Sequence, residues 1–230
     1  QHQQSGVQKI AGKRRGFPGI AEDGMGNLFS VEQAVKRLGA EVVISADKGE
    51  LLETDALILP GVGAFPDAMK RLEETNLVTI FDDIVKTDKP LLGICLGMQL
   101  LFEASVEKGN NKGLGLFKGT IAEFSGQDQA GNAYRVPHMG WNNLRFKRYP
   151  EWLTATDLDN DYVYFVHSFF ATGLDEQDLV AYADYGDEIV PGIVQKGSIT
   201  GMQFHPEKSG SCGVALLTSW LKGIKEGVGS

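Results

Sequence analysis

The chain changes rhythm about halfway along. In the first half, apolar Leu28, Val31, Val35 and Leu38 fall at helical spacing. They predict a helix over 28–38, capped by Asn27 and stopped at Gly39. A short β-branched run at 41–45 reads as a strand. Ala56-Leu57-Ile58-Leu59 and Leu91-Leu92-Gly93-Ile94 are apolar throughout, the pattern of strands buried on both faces. Helical patterns cover 66–74, 77–86 and 96–104. Strand alternating with helix predicts a parallel α/β sheet. The second half is different. Strands are expected near 120–124, 142–146, 162–170, 179–185, 189–195 and 198–204, with Lys196-Gly197 as a hairpin signal between the last two. Val214, Leu217, Leu221 and Ile224 mark a closing helix over 213–225. The expected fold is α/β and three-layered: a mostly parallel central sheet, flanking helices, and an antiparallel elaboration in the second half.

Composition narrows the functional classes. The 230 residues are 42% hydrophobic and 23% charged, as in a globular domain with a sizeable core. A net charge of -8 argues against nucleic acid as a partner, because phosphate neutralisation calls for a basic surface. No apolar run approaches the ~20 residues of a membrane helix, and no signal peptide is expected. Two cysteines, Cys95 and Cys212, form neither a disulfide framework nor a zinc site, so a reducing cytoplasm is expected, with no metal and no cofactor. The N-terminus is atypical: Gln-rich, then Lys13-Arg14-Arg15, then a Gly16-Phe17-Pro18-Gly19 turn. Residues 1–23 read as a tag, an extension or a misassigned first strand, and 24–230 as a single domain.

The chemistry concentrates in three places. Gly93-Ile94-Cys95-Leu96-Gly97 lies where a buried strand meets a helix and has the form of a nucleophile elbow. A helix N-terminus favours thiolate over thiol, and the N–H of Leu96 would face a developing oxyanion. Cys212 lacks such a setting and reads as structural. His205 ends a strand and is followed by Pro206 and Glu207. A carboxylate two residues on can hold one imidazole nitrogen while the other faces the thiol, which is the logic of hydrolytic triads. His167 and His138 are rival bases of lower rank. Pro60-Gly61-Val62-Gly63 follows a buried strand and offers backbone N–H groups for an oxyanion hole.

Together these residues resemble the triad (class I) glutamine amidotransferase family: Gly93-Ile94-Cys95-Leu96-Gly97-Met98-Gln99 with Phe204-His205-Pro206-Glu207. Pro137-His138-Met139-Gly140-Trp141-Asn142, Gly24-Met25-Gly26-Asn27 and Tyr164-Phe165-Val166-His167-Ser168 further resemble the glutaminase subunits of imidazole glycerol phosphate synthase, of histidine biosynthesis. The resemblance implies a class I glutamine amidotransferase-like fold and hydrolysis of glutamine to glutamate and ammonia. It assigns Cys95 as nucleophile, His205 as base and Glu207 as orienter, with Leu96 and Val62 or Gly63 as oxyanion donors. Gly61, Gln99, Ser168 and Phe169 are expected to bind glutamine. The implied partner is a (β/α)₈ barrel cyclase subunit, in a heterodimer, with Asn27, Trp141, Tyr164 and Lys208 at or near the interface. One departure stands out. Where the family has a hydrophobic first strand, this chain has Phe17-Pro18-Gly19-Ile20-Ala21-Glu22-Asp23, in which Pro18, Gly19 and the two acids disfavour a central strand. Competing readings are a glutaminase of another pathway, a free-standing cysteine γ-glutamyl hydrolase, and a non-catalytic subunit, the last opposed by the intact Cys95, His205 and Glu207.

Overall fold

The computed structural model describes residues 18–21, 28–61, 63–154 and 157–227. In chain order the first half contributes β1 (Pro18–Ala21), α1 (Leu28–Arg37), β2 (Val43–Ser45), α2 (Lys48–Leu52), β3 (Ala56–Leu59), α3 (Phe65–Glu74), α4 (Ile80–Thr87), β4 (Leu91–Ile94) and α5 (Leu96–Leu100). The second half adds β5 (Phe102–Ser105), β6 (Asn111–Lys112), β7 (Phe117–Glu123), β8 (His138–Asn143), β9 (Arg145–Phe146), β10 (Tyr162–His167) and β11 (Phe169–Thr172). It closes with β12 (Leu179–Tyr185), β13 (Glu188–Lys196), β14 (Ile199–Met202) and α6 (Gly210–Gly227).

The main sheet runs β2-β1-β3-β4-β14-β13-β12-β9. It is parallel from β2 to β14 and antiparallel beyond. The apolar runs behave as their pattern predicts. Every residue of β3 and β4 is buried. Ala56 and Ile58 face a core shared with Val31, Val35, Leu217 and Trp220, whereas Leu57 and Leu59 face a second core with Phe65, Leu72 and Ile84. One core therefore lies on each face of the sheet, which makes the three layers. The β13–β14 hairpin turns at the expected place, with Lys196 opposite Ile199.

Several elements depart from the sequence pattern, among them the expected strand over 142–146, which is divided between the end of β8 and β9 in different sheets. The expected helix over 96–104 ends at Leu100, and β5 takes over. The carbonyls of Leu100 and Leu101 accept from Leu114 and from Leu116 and Phe117 instead of from a further helical turn, and Phe102 stacks on Phe117 at 5.4 Å. The expected strand over 162–170 is two strands: β10 pairs with β8 and β11 with β7, in different sheets, and the chain bends at Ser168. Pro18–Ala21, poor in strand formers, nevertheless forms β1 between β2 and β3. Pro18 is its first residue, where a missing N–H is tolerated.

Candidate active site

Cys95 stands between the end of β4 and the start of α5, at φ 54 and ψ -114. A side chain is strained in this glycine-favouring region, at a cost of ~1–3 kcal/mol, and such strain clusters at functional sites. The flanking glycines make the turn sterically feasible. A Cβ on Gly93 would lie 2.8 Å from the Gly97 carbonyl oxygen, and one on Gly97 would lie 1.8 Å from that of Leu59. The N–H of Cys95 donates to Met202 O at 2.8 Å, tying the elbow to the end of β14. Parallel β4 and β14 thus end side by side, and β14 leads directly to His205.

His205 and Glu207 are both buried, with side chains 6% and 4% exposed, and Nδ1 lies 2.8 Å from Oε1. The backbone around them is fixed: His205 N–H donates to Tyr164 O at 3.0 Å, and the Ser209 hydroxyl donates to His205 O at 2.6 Å. Nε2 is buried and has no hydrogen-bond partner of normal geometry among the described residues. Burial alone would lower the imidazole pKa. Interaction with Cys95 and Glu207 outweighs it and raises the value to about 9. The ring is therefore cationic at neutral pH, the electrostatic partner a thiolate needs.

The sulfur has two further neighbours. Sγ donates to Val166 O and accepts from Gln203 Nε2, each at 3.9 Å. Gln203 is fully buried, and its Oε1 accepts from Gln99 Nε2 at 3.1 Å. Sequence reasoning missed Gln203. The one available signal was a polar residue interrupting an apolar strand end, at an inward position just before His205. Gln99 also donates to Phe169 O at 3.1 Å, so it bridges the elbow and the bend at Ser168. A cavity of about 190 Å³ beside His205 is lined by Val31, Pro60, Gly61, Ile94, Val166 and Lys208, among others.

The rival bases are occupied. His138 Nδ1 lies 2.9 Å from His167 Nε2, His167 Nδ1 lies 2.7 Å from Phe169 O, and Asn142 Nδ2 lies 3.2 Å from His138 Nε2. Burial lowers the pKa of His138 to about 4. Burial also lowers His167 to about 3, with the His138 and His205 charges acting in the same sense against the Phe169 hydrogen bond. Neither ring has a nitrogen free to serve Cys95. Cys212 is buried, and burial together with Asp161 pushes its thiol up to about 12, as befits a structural cysteine.

The loop after β3 shows a different arrangement from the one its sequence suggests. The N–H of Leu96 donates to Gly61 O at 3.2 Å and so points at a carbonyl rather than into open space. Gly63 has φ 104, a conformation that suits glycine. Val62 and Asn27 lie outside the described residues. Trp141 is 56% exposed, which excludes core packing for it, and it meets half-buried Tyr164 edge-on with ring centroids 5.9 Å apart. Met139 on the same strand and Tyr162 on its neighbour are also exposed, and Lys208 is exposed beside Glu207. No cluster of metal-ligating side chains occurs among the described residues. No helix among them is long and apolar enough to cross a membrane.

Comparison with known proteins places these features in context. Residues 22–220 match the class-I glutamine amidotransferase family. The imidazole glycerol phosphate synthase subunit HisH of Geobacillus kaustophilus is 49% identical over 212 residues, 92% of this chain and 99% of that one. The HisH subunit of Shouchella clausii is 53% identical over 199 residues, 86% and 94% of the two chains. Among solved structures, a glutamine amidotransferase superposes with a TM-score of 0.68 at 22% identity, covering 90% of this chain and 98% of its own, which speaks for the fold. With an elbow cysteine, a buried His–Glu pair and relatives of this similarity over nearly its full length, the chain belongs to the class-I glutamine amidotransferases and, within them, to the HisH family.

Proposed function

We propose that this chain is the glutaminase subunit of an imidazole glycerol phosphate synthase. Cys95 attacks the side-chain amide carbon of glutamine. The C–N bond breaks as His205 gives its proton to the leaving nitrogen, releasing ammonia and leaving a glutamyl thioester on Sγ. His205 then takes a proton from water, whose oxygen attacks the thioester carbon. The C–S bond breaks and glutamate leaves. Glu207 holds the imidazole in the orientation both proton transfers need. The observation that carries this reading is the buried His205–Glu207 pair facing a cysteine at positive φ.

Glutamine is taken up by the backbone at Ser168–Phe169 and by Gly61, with Gln99 fixing the Phe169 carbonyl. The N–H of Leu96 and one from Val62 or Gly63 receive the oxyanion. Because Leu96 N–H is engaged by Gly61 O, the peptide at Gly61 must turn before that donor is free. Each such donor contributes ~3 kcal/mol to the transition state. The isolated chain is therefore expected to be a poor glutaminase. The exposed Met139, Trp141 and Tyr162 support a docking face for a (β/α)₈ barrel cyclase, which receives the ammonia, with Tyr164 and Lys208 beside it; the family resemblance assigns Asn27 to the same interface. Two free cysteines fit a reducing cytoplasm.

The test is glutamate release from glutamine by the chain alone, and then with a histidine-pathway cyclase subunit and its nucleotide ligand. Stimulation of at least 100-fold by the partner and ligand (~3 kcal/mol of donor recovered), abolished by Cys95→Ala, is expected. Equal activity with and without the partner would move the assignment to a free-standing hydrolase.

A further inference from the structure

Two of the three described histidines take no part in the chemistry above, yet every ring nitrogen of both is hydrogen-bonded. His138 is 2% exposed and His167 is 7% exposed. Each of their four ring nitrogens has one partner, and none of those partners is a carboxylate. The ends of this chain of contacts fix its polarity. At one end, Asn142 Nδ2 donates to Asp184 O at 3.0 Å, which identifies that atom as the amide nitrogen. It therefore donates to His138 Nε2 as well, and Nε2 carries no proton. At the other end, Phe169 O can only accept, so His167 Nδ1 carries a proton. A neutral His167 then has a bare Nε2, which must accept from His138 Nδ1. Both ends demand the same arrangement, with each imidazole neutral and protonated on Nδ1 alone. Adding a proton anywhere forces two donors to face each other.

We propose that His138, His167 and Asn142 are positioning residues: a one-directional chain of neutral imidazoles that fixes the Phe169 carbonyl, and with it the Ser168–Phe169 bend, against strand β8. The inference rests on the reading of that bend as the glutamine subsite. Phe169 O is held from two sides, by His167 Nδ1 and by Gln99 Nε2, and the preceding carbonyl, Ser168 O, accepts from Phe124 N–H at 3.3 Å. Stacking keeps the rings in plane. His138 lies between Phe165 at 4.5 Å and Tyr185 at 4.0 Å, and Phe124 packs on His167 at 5.4 Å. The titratable groups packed around the pair are Tyr185, whose pKa is raised by burial, and His205, whose positive charge opposes a second proton on His167. An apolar pair would fill the same space without a desolvation cost, but it would leave the carbonyl a single donor and no defined orientation.

Two measurements on the complex with its cyclase partner test this. In [¹⁵N]histidine-labelled protein, both Nδ1 atoms are expected to be pyrrole-type and both Nε2 atoms pyridine-type from pH 8 down to 5.5. A protonated Nε2 on either ring in that range overturns the proposal. In steady-state glutamate release, His167→Phe is expected to raise the KM for glutamine about tenfold, the loss of one buried hydrogen bond, while kcat falls much less. His167→Asn keeps a donor near the Nδ1 position and is expected to recover most of that loss. An unchanged KM in His167→Phe, or an Asn variant no better than Phe, overturns the positioning role alone. A wild-type complex that releases no glutamate overturns it together with the functional reading.

Discussion

Replacing Gly97 by alanine sets two effects of opposite sign against each other. Gly97 sits in α5, and alanine in a helix is ordinarily better than glycine by ~1 kcal/mol. The new Cβ, however, would lie 1.8 Å from Leu59 O, and contacts below 3.0 Å essentially never occur, so α5 and the end of β3 must separate by roughly 1.2 Å. Neither side can yield cheaply. The obstacle is a backbone carbonyl of a fully buried strand, and all five residues of α5 are buried. Overpacking of this kind costs ~1–3 kcal/mol, and a clash with main chain belongs at the upper end. Sterics therefore win, with a net loss of about 1–2 kcal/mol. The effect on turnover is larger, because Cys95 is two residues away, and ~1 Å of misplacement at a reacting group costs ~10²-fold. Urea unfolding reads the first effect, and glutamate release by the stimulated complex reads the second. Gly39→Ala is the control. Its φ is +85 with nothing near the new Cβ, so it should cost ~1 kcal/mol of strain and leave turnover unchanged. A Gly97→Ala protein as stable as wild type and within threefold of its rate would refute the close approach on which the elbow rests.

Two further outcomes follow from the opposite states of the histidines. His205 is raised to about 9, so its proton is present through neutrality and lost as pH rises through about 9. Glutaminase kcat/KM should fall along an alkaline limb near that value, and Glu207→Gln should move the limb downwards by a unit or more, a shift whose absence would remove Glu207 from its role. Stability should depend on pH in the reverse sense for the other two rings. His138 and His167 are lowered to about 4 and about 3, so their contribution is complete above the unfolded value of 6.5 and is lost as pH falls below it. Between pH 7.5 and 5.5 the pair should cost about 3 kcal/mol, against which His205 returns about 1.4 kcal/mol, since its stabilisation is fully present below 6.5. Urea titrations should show a loss of about 1–2 kcal/mol in wild type and about 3 kcal/mol in His205→Ala. Equal losses in the two proteins would contradict the assigned charge states.

The sequence by itself determined the buried strands β3 and β4 and the local settings of Cys95 and His205. Continuous apolar runs such as 56–59 have one stable use, a strand with a core on each face, and β3 and β4 are that. The spacing of glycines around Cys95 and the proximity of Glu207 to His205 are local relations, so they survive folding unchanged. The tertiary structure decided what depends on contacts distant in sequence. Ser168 breaks an apparently continuous strand because its two halves pair with different partners, β8 and β7. The helix after Cys95 stops at Leu100 because the loop at 114–117 takes its carbonyls. His138 and His167, 29 residues apart, read in the sequence as bases ranked below His205, and it is the tertiary structure that joins them to each other and occupies their ring nitrogens. Pro18–Ala21 is the clearest case, since its residues disfavour a strand, yet β2 and β3 offer ladder partners on both sides. Backbone hydrogen bonding to neighbours outweighs a local preference worth ~1 kcal/mol, and no reading of four residues in isolation contains those neighbours.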